Sequence, residues 1–156
     1  ALAGARIPIT VDIGFGDAIE PGVEDIDLPV LLDMPSPHLR AYPPETVIAE
    51  KFHAMVVLGR ANSRMKDYYD VWMLMNTFAI EPTRLQRAIA ATFARRNTMI
   101  PTEVPDGLSD AFAADPGKQR QWGAFAQNLA DQVPELRRVV NELRLELMGF
   151  CMPNGT

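Results

Sequence analysis

The spacing of apolar residues changes near position 43. Before it, residues 7–15 read Ile-Pro-Ile-Thr-Val-Asp-Ile-Gly-Phe, whose alternation and β-branched side chains predict a strand. Pro8 belongs at its start or on an edge, and Gly14, Gly16 and Asp17 end it. A second extended stretch is expected at 26–32 and, after Met34-Pro35-Ser36-Pro37, a short third one at 38–42. From Pro43 onward the helical period takes over, predicting helices at 45–58, 65–78, 82–96, 107–114, 117–130 and 134–148. Gly59, Asn62, Glu81-Pro82, the loop from Pro101 to Pro105, and Pro134 punctuate them.

This pattern predicts an α+β chain: two to three strands, then a mainly α-helical bundle. The division falls at residues 1–44 and 45–150. Two or three strands alone are not a stable sheet. Because the chain opens at Ala1 directly into a strand, it reads as starting inside a larger domain. The tail, Met152 to Thr156, is expected to fray.

A content of 47% hydrophobic and 22% charged residues over 156 positions supports a packed core and argues against disorder throughout. No apolar run approaches the roughly 18 to 20 residues that span a bilayer, and the opening lacks the pattern of a signal peptide. The expectation is a cytoplasmic protein with no membrane partner. Cys151 is the single cysteine, and His38 and His53 are the two histidines. With no HExxH and no G-x-S-x-G, zinc hydrolase and serine hydrolase chemistry have little support.

The net charge of −5 argues against a general nucleic-acid binder, but its distribution is uneven. Residues 1–44 carry two basic and seven acidic side chains, residues 45–100 eight and five, and residues 101–156 five and eight. The basic middle third is where a phosphate-bearing ligand would dock.

Within that third, helical geometry turns two unlike charges inward. At 100° per residue from Ile48, Met55 lies at about 340°, Phe52 at about 40° and Leu58 at about 280°, with Lys51 at about 300° inside the same apolar arc. On the next helix Leu74, Phe78 and Val71 fall within about 40° of Asp67, and Asp70 sits at the edge of that face. Ionised groups leave water at a cost of several kcal/mol unless paired or bound. Lys51 and Asp67 therefore form a structural ion pair, or face a polar cleft where Lys51 neutralises a triphosphate and Asp67 orients it. The two are not exclusive. Arg64 and Lys66 add positive charge at the helix start. Asp12, between Val11 and Ile13, is placed either on a solvent face or to hold a divalent metal and accept a hydroxyl proton.

Other residues read as structural. Tyr68, Tyr69, Trp72, Met73 and Met75 suit helix packing, and His53 suits a helix surface. Cys151 has no activating neighbour. Arg95-Arg96 and Arg137-Arg138 suit solvated faces or helix ends.

Three stretches line up in order: Val-Asp-Ile-Gly-Phe-Gly-Asp at 11–17, Tyr-Pro-Pro-Glu-Thr-Val-Ile-Ala-Glu-Lys-Phe-His-Ala at 42–54, and Arg-Met-Lys-Asp-Tyr-Tyr-Asp-Val at 64–71. Together they resemble the AbiEii/AbiGii toxin family of the polymerase-β-like nucleotidyltransferase superfamily, over about residues 7 to 78. The resemblance implies that the strands are the remnant of a small nucleotidyltransferase sheet. It implies magnesium-dependent transfer of a nucleotide from a nucleoside triphosphate to an acceptor, in some relatives the 3′ end of a tRNA. The protein would then be a growth-arresting toxin of an abortive-infection or toxin-antitoxin system, neutralised by a cognate antitoxin protein. By position, Asp12 matches the later strand carboxylate and metal ligand, Lys51 the lysine of the Glu-Lys motif, and Asp67 the first aspartate of the Lys-Asp motif. Asp70 matches the second aspartate there, with Arg64, Lys66 and Asp70 joining Lys51 in nucleotide binding.

The superfamily's Gly-Ser or Gly-Gly turn and Asp-x-Asp strand, which supply the principal metal ligands, have no counterpart ahead of Asp12. Asp25-Ile26-Asp27 has the right letters after Asp12 and without the turn, and is read as coincidence. The expectation is thus a parent enzyme whose later part is this chain, inactive alone. The alternative is a non-catalytic helical protein-interaction module. A metal-dependent nuclease is a weaker rival, since Glu50 and Lys51 are adjacent and helical rather than a Glu-x-Lys strand.

Overall fold

A computed structural model describes residues 18–30, 32–129 and 133–151. The strand expected at 7–15, and Asp12 with it, lies outside these residues. Strand β1 (Glu24–Asp27) pairs antiparallel with β2 (His38–Ala41), Glu24 opposite Ala41 and Asp27 opposite His38. The stretch expected at 26–32 starts and ends earlier. The Leu28 N–H still donates to the Pro37 carbonyl at 3.0 Å, but Pro29 has no N–H to continue the ladder.

Six α-helices follow among the described residues: α1 (Pro44–Leu58), α2 (Met65–Thr77), α3 (Pro82–Arg95), α4 (Asp110–Ala114), α5 (Pro116–Ala126) and α6 (Leu136–Cys151). Proline opens α1, α3 and α5 at the first turn, where its missing N–H leaves nothing unpaired. At its end α1 turns through Gly59 at φ +49, a conformation suited to glycine. The Glu81 carboxylate caps α3 by accepting from the Thr83 and Arg84 N–H groups.

The helix expected at 107–114 is divided into a 3₁₀ turn (Asp106–Leu108) and α4. Ser109 makes the break: its hydroxyl donates to the Asp106 carbonyl and accepts from the Phe112 N–H. Helix α5 stops short of the expected residue 130, where the Asn128 side chain takes the Ala124 carbonyl and its backbone N–H the Phe125 carbonyl. Helix α6 begins later than expected and runs to Cys151. Leu143, Leu147 and Met148 are buried along it, and Phe150 and Cys151 pack partly against the core.

Ile48, Phe52 and Met55 of α1 are fully buried, together with Tyr68 and Val71 of α2, Leu85, Ile89 and Phe93 of α3 and Leu147 of α6. The Tyr68 ring stacks on Phe112 with centroids 5.1 Å apart, and its hydroxyl donates to the Gly107 carbonyl at 2.9 Å. The approach at Gly107 is close: a Cβ there would lie 2.4 Å from the Met55 carbonyl oxygen. Tyr69, Trp72 and Met75 pack partly against the core, as expected, whereas Met73 stands at the surface.

Electrostatic contacts tie the strand region to the bundle. Arg84 pairs with Glu24, Arg87 Nε lies 3.3 Å from Glu20, and the Thr46 hydroxyl donates to the Glu20 carbonyl. Helix makes up 62% and strand 6% of the described residues, so the α+β class holds with the weight on the helices. No described helix is long and apolar enough to cross a membrane.

Candidate functional site

Helices α1 and α2 form a hairpin whose turn is pinned from inside. Asn62 is fully buried, its side-chain oxygen accepts the Arg64 N–H at 2.9 Å, and its carbonyl accepts from the Lys118 amine at 2.8 Å. The fixed turn sets the first residues of α2 beside the middle of α1. Asp67 and Asp70, three positions apart, share one helix face and receive Lys51 from α1. The Lys51 amine lies 2.5 Å from Asp67 Oδ1 and 2.9 Å from Asp70 Oδ2. The three side chains keep 21%, 14% and 23% of their surface exposed, so the pair expected from helical angles exists, largely buried but still touching water.

Two further cations touch this cluster. Lys66 lies 2.6 Å from Asp70 Oδ2, and Arg64 Nη1 lies 3.8 Å from Asp67 Oδ2. Burial works against a charged Lys51, but hydrogen bonds to Asp67 and Asp70 and the attraction of both carboxylates outweigh it. Its pKa is raised above the ordinary lysine value. Lys51 is therefore a fixed cation at neutral pH, suited to meeting negative charge and unsuited to abstracting a proton.

A hollow of about 240 Å³ opens beside the amine, lined by Glu50, Lys51, His53, Ala54, Arg64, Asp67 and Arg96. Neither Lys66 nor Asp70 lines it. A wider hollow of about 640 Å³ between α2 and α5 takes in Arg64, Lys66 and Asp67 along with Phe125. Asp70 contributes by holding Lys51 and Lys66.

Two residues read as surface positions belong to the smaller hollow. Arg96, just past the end of α3, reaches Glu50 of α1 with Nη2 2.6 Å from Oε2. His53 is partly buried, its Nε2 2.9 Å from the Thr98 hydroxyl and its ring edge-on to Phe93. Burial and then the neighbouring Arg96 charge lower its pKa, so the ring is neutral at pH 7. The surface expectation fails for His53 because α3 returns its C-terminal end to α1 from more than forty residues away in sequence, whereas Arg96 is exposed at the helix end, as expected, and reaches α1 from there. Glu50, Lys51, His53 and Ala54 share one side of α1, a signal present in the sequence but without a partner until α3 is placed.

The described residues contain no group of three or more His, Cys, Asp or Glu side chains arranged to hold a metal ion. Asp67 and Asp70 do not fit that role, since the Lys51 amine sits between them. Asp25 and Asp27 are exposed on β1 against His38, whose Nδ1 lies 2.8 Å from Asp27 Oδ1. Cys151, with its thiol pushed up to about 11 by burial, is unreactive at neutral pH, as expected.

The sequence model of one family, described as "Nucleotidyl transferase AbiEii toxin, Type IV TA system", matches residues 1–142 of the 156. That span is wider than the 7 to 78 on which the sequence resemblance rests. None of the curated proteins and none of the solved structures compared matches the chain.

Proposed function

The chain belongs to the AbiEii nucleotidyl transferase toxin family, and from that premise we propose that it carries the triphosphate-gripping part of an enzyme that transfers a nucleotide to the 3′ end of an RNA, tRNA being the acceptor. The observation that carries this reading is Lys51, held as a permanent cation by Asp67 and Asp70 on the wall of a polar hollow. The family implies a toxin of a type IV toxin-antitoxin system, with a nucleoside triphosphate as substrate and an antitoxin as partner.

In this reading the acceptor's hydroxyl oxygen bonds to the α-phosphorus as its proton passes to Asp12, the bond from that phosphorus to the β-phosphate bridge breaks, and pyrophosphate leaves. Lys51 binds the negative charge of the polyphosphate, and Asp67 aims the amine and keeps it protonated. Asp70 shares the second task. Arg64 and Lys66 draw the nucleotide toward the start of α2. The family's chemistry generally uses a divalent metal. Asp12 is the proposed metal ligand, residues 1–44 the end of the catalytic core and residues 45–150 its helical domain. With no Gly-Ser turn and Asp-x-Asp strand ahead of Asp12, the chain alone is proposed to be inactive.

The test is a transfer assay with total tRNA, magnesium and each labelled nucleoside triphosphate, run on this chain and on the longest natural version of the protein. Label is expected from the longer form only, and Lys51→Ala in that form is expected to abolish it while the protein stays folded. Wild-type rates from Lys51→Ala would sink the assignment of the lysine. A folded long form that transfers no label would favour the interaction-module reading, in which the contacts of Lys51 with both aspartates serve the helical hairpin alone.

A further inference from the structure

The strand region meets the helices through charge. Among the described residues, every member of the apolar core, buried or partly buried, lies at Ile48 or beyond, so neither β1 nor β2 contributes a side chain to it. Leu28, Val30, Leu39 and Tyr42 remain exposed. The described contacts that join this region to the bundle are polar: Arg84 of α3 with Glu24, Arg87 of α3 with Glu20 at 3.3 Å, and the Thr46 hydroxyl with the Glu20 carbonyl at 3.0 Å.

Arg84 stands between two carboxylates. Its Nη2 donates to Glu24 Oε1 on β1 and lies 3.8 Å from Oε2 of Glu45, in the first turn of α1. Glu45 is 3% exposed, and its Oε2 is buried with no hydrogen-bond partner among the described residues. The Nε–H of Arg84 is buried there without an acceptor. Each group is costly to leave so, and each is what the other lacks. One movement satisfies both, because Nε and Nη2 form one edge of the guanidinium fork, which takes a carboxylate with two parallel bonds. An approach of about 1 Å would bring Nη2 from 3.8 Å to the distance of a charge-assisted bond. Glu24 holds the guanidinium off that grip.

We propose that Arg84 is a two-position latch: on Glu24 it holds the strand region against the helices, and when that region swings away it turns onto Glu45. The cation is paired in both positions, so opening gives up little more than the weak surface contacts of Arg87 and Thr46. In the function proposed above, on which the next step rests, residues 1–44 end the catalytic core and α1 carries Lys51. Arg84 is then a positioning residue that, closed, sets the two parts of the site in register and, open, lets the acceptor enter and the product leave.

Pulsed electron–electron distance measurement on the 156-residue chain tests the latch without reference to activity. Spin labels go on Met34→Cys, exposed between the strands, and Ala90→Cys, exposed on α3, with Cys151→Ala so that no third thiol is labelled. This background is expected to show one main distance and a minor longer one, which rises with salt. Glu20→Gln with Glu24→Gln removes two charges that lie outside the packed core. The longer distance should then become the main one, with Tm within about 2 °C of the background. In Glu20→Gln alone both distances should be populated, and adding Glu45→Gln should shrink the longer severalfold, an effect that a merely structural Glu45 would not produce.

A single unchanged distance in the folded Glu20→Gln, Glu24→Gln protein at every salt concentration would overturn the latch. A longer population that Glu45→Gln leaves as it was would overturn the exchange between carboxylates. In the long form, Glu20→Gln with Glu24→Gln should lower kcat for transfer about tenfold or more and leave KM for the nucleotide within about twofold, since Lys51 and its aspartates are untouched. Unchanged kcat beside a lengthened distance would overturn the positioning role and leave the proposed function standing. A folded long form that transfers no label would overturn that function and the positioning role with it, while the distances still decide the latch.

Discussion

Replacing Lys51 by methionine conserves most of its volume and removes its charge, which leaves Asp67 and Asp70 facing each other without the amine. Removing one partner of a fully buried ion pair costs about 3 to 5 kcal/mol, and an exposed pair is worth about 0 to 1 kcal/mol. This site lies between those limits. Asp67 and Asp70 retain 14% and 23% of their side-chain exposure, Arg64 stays 3.8 Å from one, and Lys66 stays 2.6 Å from the other. Each orphaned carboxylate thus keeps water and one cation, and the expected loss is about 2 kcal/mol. At about 2 to 4 °C per kcal/mol for a chain of this size, Tm falls by about 4 to 8 °C. Asp67→Asn is milder, about 1 kcal/mol, because Asp70 still holds the amine at 2.9 Å.

Urea denaturation of K51M, D67N and the double variant closes a cycle whose coupling energy is expected at about 1 kcal/mol, shrinking as salt is raised. A coupling below about 0.3 kcal/mol would mean that the short distance carries no energetic pairing, and that Asp67 does not keep the lysine charged. The same K51M change in the long form should abolish transfer at 25 °C, where a Tm lower by a few degrees leaves the protein folded. Loss of stability and loss of activity are thereby read separately.

Gly107→Ala should destabilise the bundle by about 3 kcal/mol, the upper end for an overpacked site, because the new methyl would meet the Met55 carbonyl at 2.4 Å beside the Tyr68 hydroxyl; a thermal melt within about 2 °C of wild type would contradict that packing. His53→Gln should flatten the loss of stability on acidification. With its folded pKa below 6.5, the unfolded chain binds the proton first, so the contribution of His53 is complete above about pH 6.5 and lost as pH falls toward the folded value. Urea midpoints at pH 7 and 5.5 check this, and an equal drop in both proteins would refute it.

The helices, and the inward placing of Lys51 and Asp67, were legible because a helix puts residues three and four apart on one face whatever surrounds it. The same rule foresaw Asp70 at the edge of that face, where it takes a share of the lysine. Boundaries were less legible. Pro29 ends a strand only where its missing N–H falls in the ladder, and Ser109 divides a helix only where its hydroxyl finds Asp106 and Phe112. These depend on which partner is present.

The period of apolar residues decided the order of elements and the pair at the centre of the site, and the residues of three segments carried the family resemblance, all properties of short stretches. The hollow beside that pair was decided by the fold alone. Glu50 and His53 look like surface residues on an isolated α1, and Arg96 and Thr98 look like the solvated end of α3, until burial of Phe52 against Phe93 brings the two helices together. Apolar packing, which is non-directional and acts between segments distant in sequence, thereby sets the polar groups of the two helices around one cavity.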